Sequence, residues 1–163
     1  MSTLCYPCSP STSDEKYAAN AYEIAGKSDM AMQLGCIAVR CGKIIARGCN
    51  KYRTFSKDGL IHNSCSCHAE IDVLRKCKKQ NILDKINLYV VRRSRSPRSE
   101  FTDMYMESSP CKNCYETMKQ FNIKYIVFSD INGELIKKRF HDFYSNFMTS
   151  GRKAIIEKRV KVL

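Results

Sequence analysis

The strongest constraint on this chain is a pair of short motifs, His68-Ala69-Glu70 and Pro110-Cys111-Lys112-Asn113-Cys114, with His68 and Cys111 43 positions apart. Cys111-x-x-Cys114 has the gap that lets two thiolates reach one tetrahedral metal, and His68 adds an imidazole. Three protein ligands with the fourth position left to water is the pattern of catalytic zinc. Both motifs stand where a helical pattern begins after a strand-like run. A helix N-terminus suits the set, because its positive end and unpaired N–H groups stabilise thiolates. Glu70, two residues past His68, can approach the same pocket without occupying the ligand direction of His68, and is assigned as general acid/base. A closed zinc site that only braces the fold needs a fourth ligand, for which Cys65 and Cys67 are the donors nearest in sequence.

Around these motifs the pattern alternates. A helix is expected over residues 16–28, with Asp14 and Glu15 in its first turn. Residues 33–40 and 43–50 flank Cys41-Gly42 as an antiparallel hairpin. A polar loop over residues 51–66 leads to a second helix, residues 68–79. Residues 86–92 form a third strand, followed by a loop rich in Ser and Arg and then a short extended piece at residues 104–107. A third helix covers residues 111–121, a strand residues 125–129, and Asn132-Gly133 turns the chain into a fifth strand. Residues 140–148 have helical aromatic spacing, stopped by Ser150-Gly151, with a basic tail beyond. This order predicts an α/β sandwich with helices packed on a mixed sheet.

A length of 163 residues fits one domain, here residues 14–163 with a basic C-terminal extension, preceded by an arm over residues 1–13. No apolar run approaches the roughly 20 residues of a membrane span. No secretory signal is visible, so a cytoplasmic protein without a membrane partner is expected. Ten cysteines in such a chain are read as thiols or metal ligands before disulfides. Cys5-x-x-Cys8 is a candidate second metal site clipping the arm to the body through Cys65, Cys67 or another thiol. The excess of 28 Lys and Arg over 16 Asp and Glu favours anionic partners, either nucleotides or nucleic acid. The densest basic stretch, residues 75–98, includes Arg92, Arg93, Arg95 and Arg98. It reads first as a solvated helix face and loop, and otherwise as a nucleic-acid track.

The paired motif, H-x-E followed by P-C-x-x-C, resembles the zinc-dependent cytidine and deoxycytidylate deaminase superfamily over residues 14–136. The resemblance implies a three-layer α/β/α sandwich with a mixed, mainly five-stranded sheet, one zinc ion, and a homo-oligomer. Gly48-Cys49-Asn50, His68-Ala69-Glu70-Ile71 and Ser109-Pro110-Cys111 look most like the deoxycytidylate branch. That branch implies a substrate-binding role for Asn50, an Ala69 backbone N–H on the base carbonyl, and backbone near Ser108 and Ser109 facing the departing amine. Lys51 and Arg53 are candidates for a 5′-phosphate or a nucleic-acid backbone. Tyr52, Phe55, Phe101 and Tyr105 read as core aromatics before stacking platforms.

The expected function is hydrolytic deamination of a small-molecule cytosine nucleotide, of dCMP or CMP type, to the uracil nucleotide and ammonia. The alternatives are a base deaminase acting on tRNA or single-stranded nucleic acid through the basic surface, and a zinc-braced binding module without catalysis.

Overall fold

The computed structural model describes residues 8–94 and 105–161; expectations placed on Cys5, Arg95, Arg98 and Phe101 fall outside them. Helix α1, Thr12–Ala25, is entered through Ser11. The Ser11 hydroxyl accepts from the Asp14 N–H at 3.2 Å, and the Asp14 carboxylate accepts from the Ser11 N–H at 2.8 Å. This reciprocal box satisfies two otherwise unpaired amides. It moves the helix start from Lys16 to Thr12, into the stretch read as an arm.

Strands β1, Gln33–Arg40, and β2, Lys43–Cys49, form the expected hairpin. Its turn places Cys41 at φ 51° and Gly42 at φ 75°, the two positive values a two-residue hairpin turn needs. Helix α2, Ala69–Lys79, leads to β3, Asp84–Arg93, then a two-residue β4, Tyr105–Met106. Helix α3, Lys112–Met118, is followed by β5, Asn122–Ser129, and β6, Leu135–Arg139. The sheet runs β2-β1-β3-β5-β6, with β4 attached to the end of β3. It is mixed as expected: β3 and β5 are parallel and the other pairs antiparallel, so five long strands carry β4 as a minor sixth.

Register decides where the two motifs go. Cys49 at the end of β2 pairs with Gly35, and Arg93 at the end of β3 pairs with Gln33, both at the start of β1. The segments leading to α2 and α3 therefore leave the sheet at the same end. Carboxyl ends of strands are where α/β sheets place their ligands.

Side chains alternate across the strands. Ile37, Val39, Tyr89, Val91 and Val127 pack with Ala18 and Ala21 of α1 on one face. Cys36, Ala38, Ile86, Leu88 and Val90 pack with Val73 and Leu74 of α2 and Met118 of α3 on the other. This is the expected three-layer arrangement, and each fully buried Leu, Ile or Val contributes about 1.5–3 kcal/mol. Contact between α1 and β1 is close enough that a Cβ on Gly35 would lie 1.9 Å from the Ala21 carbonyl oxygen. Across the same layer, the Asp14 carboxylate accepts from Tyr89 Oη at 2.6 Å and Lys137 Nζ at 3.0 Å, joining α1 to β3 and β6.

The C-terminal expectation is corrected. Phe140–Asp142 form a single 3-10 turn, residues 143–149 are not helical, and α4 spans Ser150–Ile156, so the residues read as a stop begin a helix. The helix-like aromatic spacing instead serves packing. Phe140, Phe143 and Tyr144 all surround Tyr115 of α3, and Phe143 also meets Phe128 of β5. Thr149 caps α4 by accepting from the Arg152 N–H at 3.2 Å, a signal the Ser150-Gly151 pair obscured. Among the described residues no helix is long and apolar enough to cross a membrane.

Candidate active site

Four helices begin in ways that divide into two kinds. Ser11 and Thr149 use their hydroxyls to cap α1 and α4, whereas His68 and Cys111, which hold the capping positions of α2 and α3, make no side-chain cap bond. Forgoing a cap costs about 1 kcal/mol per helix. What the two side chains do instead is face each other. His68 Nδ1 lies 3.2 Å from Cys114 Sγ and 3.5 Å from Cys111 Sγ. One donor atom from each of the three residues lies within 4.8 Å of the others, the one such His, Cys, Asp or Glu group among the described residues. Glu70, one residue into α2, brings its Oε2 within 3.5 Å of Cys114 Sγ. Cys114 and Glu70 are buried, at 0% and 3% exposure.

The electrostatics follow from that crowding. The Cys114 thiol hydrogen bond, together with the His68 imidazole, outweighs burial and holds Cys111 down to about 4. Cys114, the partner that gives up that bond and lies deeper, is pushed well above the ordinary thiol range. Burial would lower the His68 value, but its contacts with Cys111 and the Glu70 charge raise it. Burial raises Glu70, only partly opposed by His68. Two sulfurs and one imidazole nitrogen, gathered with a thiolate already favoured, match the donor set of a tetrahedral zinc ion with one position left over. Cys67 turns its thiol to the His68 carbonyl, and Cys65 to the Gly151 carbonyl, so neither joins the cluster.

His68, Glu70 and Cys111 line a cavity of about 460 Å³, with Cys114 buried behind them. Asn50, Ala69 and Ser109 all line it. The Asn50 amide is also structural: its Oδ1 accepts from the Leu34 N–H at 3.0 Å and its Nδ2 donates to the Met32 carbonyl at 2.6 Å, tying the end of β2 to the start of β1. Ser108 is buried beside Ser109; its hydroxyl donates to the Val90 carbonyl at 2.7 Å and accepts from the Ser129 N–H at 2.8 Å. These bonds fix residues 107–110 against the ends of β3 and β5.

Arg53 and Lys51 are not in the lining. Arg53 Nε donates to the Phe55 carbonyl at 2.9 Å, and Lys51 Nζ pairs with Asp72 at 3.1 Å. Tyr52 and Phe55 are exposed, while Tyr105 packs on Tyr22. Cys8 bridges to Lys137 on β6 and belongs to no metal-ligand group among the described residues; Cys5 is not described. Of the two arginines in the cavity lining, Arg92 on β3 entered the sequence reading only as part of the basic stretch 75–98, and Arg152 on α4 was passed over. Period-two alternation from Leu88 and Val90 would have placed Arg92 on the cavity face, and Thr149 as a helix cap would have located Arg152 in a first turn.

Residues 11–130 match the family model described as the cytidine and deoxycytidylate deaminase zinc-binding region. A dCMP deaminase from the cyanophage S-TIM5 is 25% identical over 69% of this chain and 79% of its own, with a TM-score of 0.49. A cytidine deaminase from Burkholderia pseudomallei is 16% identical, covers 82% of this chain and 98% of its own, and superposes with a TM-score of 0.57. A mutant cytidine deaminase from Mycobacterium tuberculosis gives 15%, 83%, 97% and 0.53 for the same quantities. The latter two establish likeness of fold. No curated protein sequence matches the chain.

Proposed function

Because the chain belongs to the cytidine and deoxycytidylate deaminase family, we propose that it hydrolyses the exocyclic amine of a cytosine nucleotide, of dCMP or CMP type, releasing the uracil nucleotide and ammonia. The observation that carries this reading is Glu70 lying beside the gathered His68, Cys111 and Cys114, with Glu70, His68 and Cys111 lining a cavity large enough for a small ligand. A net charge of +12 favours the anionic nucleotide over the nucleoside.

In this reading His68 Nδ1, Cys111 Sγ and Cys114 Sγ hold zinc. Bound there, zinc would lower the pKa of a water and so supply a nucleophile at neutral pH. Glu70 would take the proton a water gives up on becoming the nucleophile and carry it to the ring nitrogen of cytosine, then move the proton of the hydroxyl added at C4 to the exocyclic amine, so that the C–N bond breaks, ammonia leaves and the C4 carbonyl forms. Its burial suits this work, since a carboxyl raised above its ordinary range accepts and returns a proton more readily near neutrality. The Ala69 N–H, at the start of α2, holds the base carbonyl, and the Ser109 backbone lies on the amine side. Asn50 supports the wall that receives the sugar while pinning β1. The nine described cysteines are unpaired thiols, which suits a reducing compartment, and the cytoplasm is the proposed location.

The test is ammonia release and uracil formation by zinc-loaded protein offered dCMP, CMP, cytidine, guanine and a short RNA. The proposal expects a cytosine nucleotide to be turned over fastest. Absence of ammonia from every cytosine compound would reject it.

A further inference from the structure

The face of β3 that carries Ile86, Leu88 and Val90 into the core ends, by the same alternation, on Arg92. A guanidinium continues an apolar stripe at the point where β3 runs into the cavity over the metal-ligand cluster. Arg93, one residue on, falls on the opposite face and lies over the Tyr22 ring, so the two neighbouring arginines serve different layers. Among the described residues, Arg92 Nε is fully buried and has no hydrogen-bond partner. A buried donor left unpaired costs about 1–3 kcal/mol, and a charged one more, so such a group stands out in a native site.

A second guanidinium enters from a different element. Arg152, in the first turn of α4, also lines the cavity. One of its terminal nitrogens donates to the Asn63 carbonyl at 2.8 Å, which ties the side chain to the loop leading into α2. A guanidinium has five donors in a planar fork, so that single bond leaves most of it for a ligand. This segment lies beyond the residues that match the family model. Glu107 also lines the cavity, yet it pairs with neither arginine among the described residues. Lys51 and Arg53, the cations that sequence alone would assign to a phosphate, are engaged by Asp72 and the Phe55 carbonyl.

We infer that Arg92 and Arg152 form an anion clamp in this cavity that takes the 5′-phosphomonoester of a single nucleotide. The inference rests on the deaminase reading for the identity of the base, and on the cavity alone for the phosphate. A phosphomonoester dianion offers several oxygens to two forks arriving from β3 and α4, the bidentate geometry arginine provides better than lysine.

Two measurements decide it. The first is the ratio of kcat/KM for dCMP over deoxycytidine in the zinc-loaded protein, in Arg92→Gln, in Arg152→Gln, and in Lys124→Gln, whose side chain lies near the start of β5, outside this cavity. Each arginine variant should lower the ratio about 10- to 100-fold, the range of one charge-assisted contact, and the lysine variant should leave it in place. The second is calorimetric binding of dUMP against deoxyuridine, which requires no turnover. Wild-type protein should bind dUMP more tightly, and both arginine variants should lose that difference. Equal affinity for dUMP and deoxyuridine, or a ratio that survives both substitutions, overturns the clamp. So does an oligonucleotide without a 5′-phosphate that binds as tightly as dUMP through the same arginines. Deamination of deoxycytidine with no gain from the phosphate removes the clamp and leaves the deaminase reading. Arginine-dependent dUMP binding without deamination of any cytosine compound does the reverse.

Discussion

Replacing Arg92 by Met should make the ligand-free protein more stable, against the general rule that substitutions in half-buried positions destabilise. The structure sets the sign. Arg92 Nε has no partner among the described residues and no access to solvent, while the strand face it extends is apolar through Val90. Removing a buried unpaired donor recovers about 1–3 kcal/mol. Methionine retains an unbranched, adaptable chain, so much of the packing of the arginine stem is kept. The half-buried guanidinium takes some van der Waals packing with it when it goes, which leaves a net gain of about 1 kcal/mol. For a chain of 163 residues this raises Tm by about 2–4 °C. Scanning calorimetry of zinc-loaded protein without nucleotide reads it directly, and the same scans with dUMP should show the variant gaining less from ligand than wild type. A Tm that falls by 2 °C or more would show that the guanidinium is supported by the protein itself and refute the reasoning.

Glu70→Gln should bind metal like wild type and lose about 10²- to 10⁴-fold in kcat, because the amide keeps the shape of the side chain without its proton; metal analysis beside turnover checks both halves. Tyr89→Phe removes a hydrogen bond to the buried Asp14 carboxylate and should cost about 1.5–3 kcal/mol at neutral pH by denaturant unfolding. Burial raises Asp14, but its bonds from Ser11, Tyr89 and Lys137 outweigh that and leave it below its ordinary value of 3.8. The stability this gives is present above that value and lost as pH falls through the lower folded one. The gap between wild type and Tyr89→Phe should therefore close in acid, and a gap constant down to pH 2 would contradict the assignment. Gly35→Ala places a Cβ 1.9 Å from the Ala21 carbonyl oxygen, so α1 must shift; a loss of about 1–3 kcal/mol is expected, and unchanged stability would argue against the close α1–β1 contact.

The parts of this fold that could be read from the residues are those where local pattern and tertiary environment agree. The β1–β2 hairpin follows from Cys41-Gly42, and α2 from its apolar stripe after His68. The cluster of His68, Glu70, Cys111 and Cys114 was legible because metal chemistry restricts residue type and spacing more tightly than packing does. The C-terminal region was not. Phe140, Phe143, Tyr144 and Phe147 have α-helical spacing, yet three of them pack around Tyr115 from a single 3-10 turn and the extended segment after it. Charge runs misled in a similar way, since Arg92 and Arg93 look like one basic patch until strand alternation sends them to opposite faces. Arg53 illustrates the converse: a cation next to a site residue in sequence can turn back on its own loop.

X-ray absorption at the zinc edge tests the central claim most directly, because catalysis and structural bracing demand different coordination. Zinc should be bound at one ion per chain through two sulfurs, one imidazole nitrogen and one further oxygen, and this signal should be lost in Cys111→Ser. A shell of three sulfurs and one nitrogen, with Cys65 or Cys67 as the added ligand, would leave Glu70 no water to deprotonate and would contradict the account.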